Sequence, residues 1–295
     1  MFGGWNGDRS GFSLVEMTIV LVLAGLVGTA AITLFTTNNR LNTIMTTTGQ
    51  SQENARSAVD AVASELRGLS AGSITHARPE FLSARMPLAF GVICEVSAPH
   101  VSIYFAFGGR PVSLSAADGY AVRDTTGDWV YMADAGALNL SSSGGARSAC
   151  VGNGNSGTEP STSYVRFHVP GGRGTGHARG RRNSATIDLV RGQPIMLFQR
   201  RVYSLAPSQL ESGRRALYRG RYGQPLVELA QGFGSEAGFL YQIADGRWIQ
   251  FPLGEQLDGI QTVRVRAEVV SDPQPGLMEA QSFSLVREIP LRNVE

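Results

Sequence analysis

The sequence predicts an α+β protein: one long N-terminal helix, half membrane-type and half amphipathic, laid on an antiparallel β-sheet head. Three observations carry this. Residues 17–35 are nineteen consecutive positions without a charge. Leu41, Met45, Thr48, Gln52, Ala55, Val59, Val62, Leu66 and Leu69 then recur at alternating steps of four and three, the seam of a helix that buries one face. From Phe81 onward the pattern changes to short runs of alternating apolar and polar residues, which is how half-buried antiparallel strands read.

Residues 12–35, taken as a helix, reach about 36 Å, enough for a hydrocarbon core of roughly 30 Å. A secretory signal would carry a shorter apolar core and a small-residue cleavage site after it; neither is present here. Glu16 stands at the start of the uncharged run. A carboxylate at membrane depth costs roughly 2.5–3.5 kcal/mol on insertion scales, so an acid kept there is a candidate functional residue. The span holds no Pro, and Gly25 and Gly28 are its only weak points.

The polar continuation, residues 36–72, also lacks Pro and ends near Gly68 and Gly72, residues that favour helix termination. A continuous helix over residues 12–69 would measure roughly 87 Å. Thr48 and Gln52 on its seam predict a middle section that packs on nothing of its own chain. Residues 73–295 form the β-rich head. Strands are expected over 101–107, 129–132, 164–169, 185–190, 195–205, 226–229, 239–243, 263–270 and 283–289.

The junction Gly11-Phe12-Ser13-Leu14-Val15-Glu16 resembles the prepilin-type cleavage and methylation motif of type IV pilins and type II secretion pseudopilins. The resemblance implies a pilin-like fold and a leader peptide of residues 1–11. It makes Gly11 the residue before the cut, Phe12 the methylated new terminus, and Glu16 the acid used in assembly. A Phe12 ammonium and a Glu16 carboxylate from neighbouring subunits would neutralise each other in an apolar bundle, the condition for tolerating buried charge.

The stretches 217–219, 225–233, 239–241, 260–265 and 290–293 are similar in order to those of PilW-like minor pilins and GspJ-like pseudopilins. The family implies other pilin or pseudopilin subunits as partners, a prepilin peptidase that also methylates, and the cytoplasmic membrane. It implies a single pass with the head outside the cytoplasm, then a place in a pilus or pseudopilus, near the tip. Residues 78–188 match nothing in the family pattern.

Net charge is +2 and all 26 basic residues are Arg, which excludes a strongly polyanion-binding chain as a whole. The segment 171–182 holds Arg173, Arg179, Arg181 and Arg182; without them the formal charge would fall to −2. It reads as a mobile basic loop between strands, or as a phosphate-contacting arm on DNA in a competence or adhesion pilin. Arg200, Arg201, Arg214, Arg215, Arg219 and Arg221 would extend a basic surface if they shared its face.

Cys94 and Cys150 either pair, closing a loop worth about 4 kcal/mol in the chain-entropy model, or remain buried thiols. Residues 141–163 around Cys150 read as a solvated Ser/Gly/Asn loop. It contains a formal GxGxxG at residues 152–157, but Pro160 and a Ser/Thr run follow where a phosphate-binding helix would have to start.

No zinc site is expected, because there is no CxxC and His76, His100, His168 and His177 are scattered. Asp124, Asp128 and Asp134 lack the regular alternation of a calcium loop and read as turn residues. No GxSxG, HExxH or P-loop lysine occurs. The chain is expected to need no cofactor and to be no enzyme; it is the substrate of chemistry at Gly11 and Phe12.

Overall fold

The computed structural model describes residues 13–70, 72–97, 100–105, 117–125, 127–132, 144–151, 164–168, 173–177, 185–270 and 282–291. Helix α1 (Leu14–Leu66) runs unbroken for 53 residues, about 80 Å at 1.5 Å per residue. It ends where Arg67 turns its N–H back to the Ala63 carbonyl. Gly68 and Leu69 close a further turn, and Gly72 takes a left-handed φ of 76°, a conformation only glycine adopts freely.

Only the last third of α1 is buried. Ala55, Ala58, Val59, Val62, Ala63 and Leu66 form its inner face, and three alanines there let the helix approach the sheet closely. Leu41 and Met45 are exposed, and Thr48 and Gln52 are half-buried. The seam is therefore periodic over its whole length but fully buried only from Ala55 on; the half-burial of Thr48 and Gln52 corrects the expectation that the middle section is wholly without cover. The buried end shares one core with Tyr203, Phe239, Tyr241, Val263, Val265 and Ile289, and full burial of Leu66 alone stabilises by about 1.5–3 kcal/mol.

The head is one antiparallel sheet of fifteen described strands. In chain order these are β1 (Ile74–Arg78), β2 (Phe81–Ser97), β3 (His100–Phe105), β4 (Gly119–Arg123), β5 (Trp129–Met132), β6 (Tyr164–His168), β7 (Arg173–His177) and β8 (Ala185–Asp188). There follow β9 (Pro194–Pro207), β10 (Arg215–Arg221), β11 (Val227–Phe233), β12 (Gly238–Ile243), β13 (Trp248–Ile249), β14 (Ile260–Val270) and β15 (Ser282–Pro290). A short helix, α2 (Gly144–Val151), lies between β5 and β6, and α3 (Glu255–Asp258) precedes β14.

Strands β2 and β9 are the axis. They pair from Phe81 opposite Ser204 to Val92 opposite Pro194, with a bulge between Pro87 and Ala89; a bulge is where a sheet tolerates a residue without an N–H. On its other edge β9 pairs β10 over residues 201–207 and β4 over residues 195–198. Among the described residues the sheet thereby divides around two large cores, with a smaller cluster of Ala121, Tyr131, Met196 and Phe198. One large core lies under α1, and the other gathers Ile93, Val101, Ile103, Phe105, Val122, Val130, Phe167 and Leu197. At Gly91, opposite Phe105 in the β2–β3 ladder, an added Cβ would lie 2.5 Å from the Tyr104 carbonyl oxygen, so β3 approaches too closely there for any side chain.

The α+β expectation holds, and the predicted strands appear with ends shifted by a few residues. Two expectations are corrected. The Ser/Gly/Asn stretch is not loop throughout, since residues 144–151 form α2. The basic segment is not loop throughout either, since Arg173–His177 is a strand hydrogen-bonded to β5 and β8.

Candidate functional site

The N-terminal half of α1 is exposed over its apolar run. Leu14 is 81% exposed and Phe35 73%, and Val15, Met17, Ile19, Val20, Leu21, Val22, Leu23, Leu26, Val27, Ile32 and Leu34 are all exposed. Soluble surfaces rarely present so large a contiguous apolar area. This is one helix long and apolar enough to cross a membrane, with no part of its most apolar window buried in the head.

Its hydroxyls are satisfied internally. Thr18 donates to the Val15 carbonyl at 2.8 Å, Thr29 to Leu26 at 2.9 Å, Thr33 to Thr29 at 2.8 Å and Thr36 to Ile32 at 2.9 Å. Back-bonded threonines add no unsatisfied donor to the helix surface, which is what an apolar surrounding requires. The Thr spacing carried this signal in the sequence.

Glu16 lies in the first turn of α1 and is exposed, a placement that complements the helix dipole. Its backbone N–H bonds the Ser13 carbonyl, but no hydrogen bond or ion pair reaches its carboxylate among the described residues. Gly11 and Phe12 lie outside the described residues.

A second carboxylate on α1 went unrecognised in the sequence. Glu65, beside the seam residue Leu66, accepts from Arg201 Nη1 at 3.0 Å and from Arg219 Nη1 at 2.7 Å, and Tyr203 donates its hydroxyl to the other oxygen. Burial first, and the neighbouring Glu65 second, push the Tyr203 hydroxyl well above its ordinary pKa, so it remains a donor at neutral pH. Two strands thus clamp the last turn of the stalk.

The arginines expected to extend a basic surface are mostly engaged inside the head. Arg201 and Arg219 hold Glu65, Arg221 pairs with Asp118, Arg215 reaches Glu80 at 3.3 Å, and Arg214 lies 3.7 Å from Glu211. Arg200 stacks its guanidinium over Tyr222, 4.3 Å from the ring centre. Arg173 stands opposite Asp188 in register, while Arg179, Arg181 and Arg182 lie outside the described residues, as do the formal GxGxxG and Asp134. Asp124 and Asp128 close the β4–β5 hairpin, with the Asp128 N–H donating to the Asp124 carboxylate at 2.9 Å; they act as turn residues.

Cys94 on β2 and Cys150 on α2 form a disulfide with Cα atoms 4.9 Å apart. It fixes α2 against β2, β3 and β6, which explains a helix in a sequence so poor in helix formers. Cys94→Ser is expected to lower stability by about 4 kcal/mol. The check is urea denaturation of wild type and variant in the same detergent; an unchanged midpoint would mean the linkage contributes nothing.

Among the described residues no group of three or more His, Cys, Asp and Glu stands together. The histidines are nevertheless not all scattered: His100 and His168 face each other across β3 and β6.

Comparison with protein-family models, with curated proteins and with solved structures finds no match to this chain. Fold and site together define its class: an α+β protein with a large antiparallel head and a protruding N-terminal helix able to span a membrane.

Proposed function

We propose that this chain is a structural subunit of a helical envelope filament, a minor pilin or pseudopilin of the PilW or GspJ type. A prepilin peptidase removes residues 1–11, and the mature chain starts at a methylated Phe12. The head lies outside the cytoplasm, and α1 leaves the membrane to enter a filament at or near its tip.

The observation that carries this reading is the lone carboxylate of Glu16 on the otherwise uncharged, exposed first half of α1, residues 14–39, four residues after the start of the mature chain at the Gly11-Phe12 junction. Within the described part of one chain that charge has no partner. In a bundle of identical or related helices, the terminal ammonium of a neighbour supplies one, and a paired charge removes most of the desolvation cost. Close helix packing supplies the remaining binding energy. The arginines of β9 and β10 that would have extended a basic surface are engaged with Glu65, Asp118, Glu80 and Tyr222, which removes that wider surface from a DNA-binding reading.

Glu16→Ala is expected to be processed normally at Gly11 yet to fall several-fold in sheared filaments relative to wild type. Quantitative immunoblots of filament and membrane fractions decide it. Wild-type incorporation would show that Glu16 has no assembly role.

A further inference from the structure

The geometry points to a two-histidine transition-metal site on the border of the head, formed by His100 and His168; we propose that it takes a divalent ion of the copper, nickel or zinc type. This inference is independent of the filament reading. His100 begins β3 and His168 ends β6, and the two are directly opposite in register. Direct cross-strand partners place their Cβ atoms about 4.5–5.5 Å apart. Both side chains are exposed, because their neighbours Val101 and Phe167 point into the distal core. The backbone that carries them is therefore fixed while the imidazoles are free to turn.

The ring centres are 5.7 Å apart and the planes meet at 82°. Two imidazoles bound to one ion at about 2.1 Å, each with the ion in its plane, have ring centres about 5.3 Å apart at a tetrahedral angle and about 4.6 Å apart at the right angle of a tetragonal copper site. The observed pair needs to close by roughly half an ångström to an ångström, within the reach of a χ adjustment of two exposed side chains.

Strand β6 pairs only with β3 among the described residues, and both imidazoles are exposed. Neutral imidazole selects borderline transition ions over calcium and magnesium, and copper binds such donors more tightly than nickel or zinc. Two protein ligands with open positions describe an exchangeable site, suited to accepting a further donor from outside the head. The disulfide-fixed α2 packs on β3 and β6 and holds the two strands in register beside the pair.

The test uses the full-length chain purified in detergent, in a non-chelating buffer at neutral pH, titrated with copper(II) chloride. Calorimetry is expected to give one ion per chain. The electron paramagnetic resonance spectrum is expected to show nitrogen hyperfine splitting from two imidazoles. His100→Asn and His168→Asn should each weaken binding about tenfold or more and remove one imidazole from the spectrum. His76→Asn, elsewhere on the head, should behave as wild type. Absence of stoichiometric binding by wild type would overturn the proposal, and so would pair variants that bind as tightly as wild type. The wild-type spectrum decides independently of whether either variant folds, because it reports the number of bound imidazoles.

Discussion

Glu65→Ala is expected to lower the stability of the head by about 3 kcal/mol. The change removes the acceptor of two guanidinium groups and one buried hydroxyl at once. Removing one partner of a buried ion pair costs about 3–5 kcal/mol because the other charge is left uncompensated. Arg201 and Arg219 are each about one-third exposed, so water recovers part of that cost and the lower end applies. Tyr203 cannot recover it, being buried with its hydroxyl aimed at α1. Glu65→Gln keeps an acceptor for Tyr203 and is expected to lose about half as much. Urea denaturation in detergent measures both, with the midpoint moving by about 1 M or more for Glu65→Ala. A loss under about 1 kcal/mol would mean that the clamp is an ordinary surface ion pair and that apolar packing alone seats the stalk.

Gly11→Glu is expected to abolish processing. A peptidase that cuts between Gly11 and Phe12 must bring the backbone of residue 11 into its active site, and glycine is the residue that permits the closest approach. The variant should accumulate in the membrane as the uncut chain, retaining the eleven-residue leader, and be absent from filaments. Its apolar helix is unchanged, so membrane insertion should be preserved; that separates loss of cutting from loss of targeting. A shortened product of wild-type mobility would show that residue 11 is not the processing point.

The stalk was legible because its physics is local. Uncharged residues followed by a four-three seam specify a helix whatever lies beside it, and the buried positions Ala55, Val59, Val62 and Leu66 are members of that seam. The seam did not reveal where packing starts, because Leu41 and Met45 obey the same period as Val59 but face no sheet. Strand β10 hid behind its arginines: its half-buried end becomes intelligible only once Arg219 and Arg221 find Glu65 and Asp118 across the fold. Strand β2 was obscured by Pro87 and Gly91, which a bulge and the close approach of β3 accommodate. Helix α2 has little intrinsic preference for its conformation and depends on the disulfide and on the strands beneath it. The His100 and His168 pairing is a property of register, joining residues far apart in the chain, and no spacing rule announces it.

The central claim concerns the first residue of the mature chain. Intact mass combined with N-terminal sequencing of the protein from the membrane fraction tests it most directly. The account predicts a chain that begins at Phe12 and carries one methyl group on its terminal nitrogen. A chain that begins at Met1, or one cut on the far side of the apolar run, would contradict it.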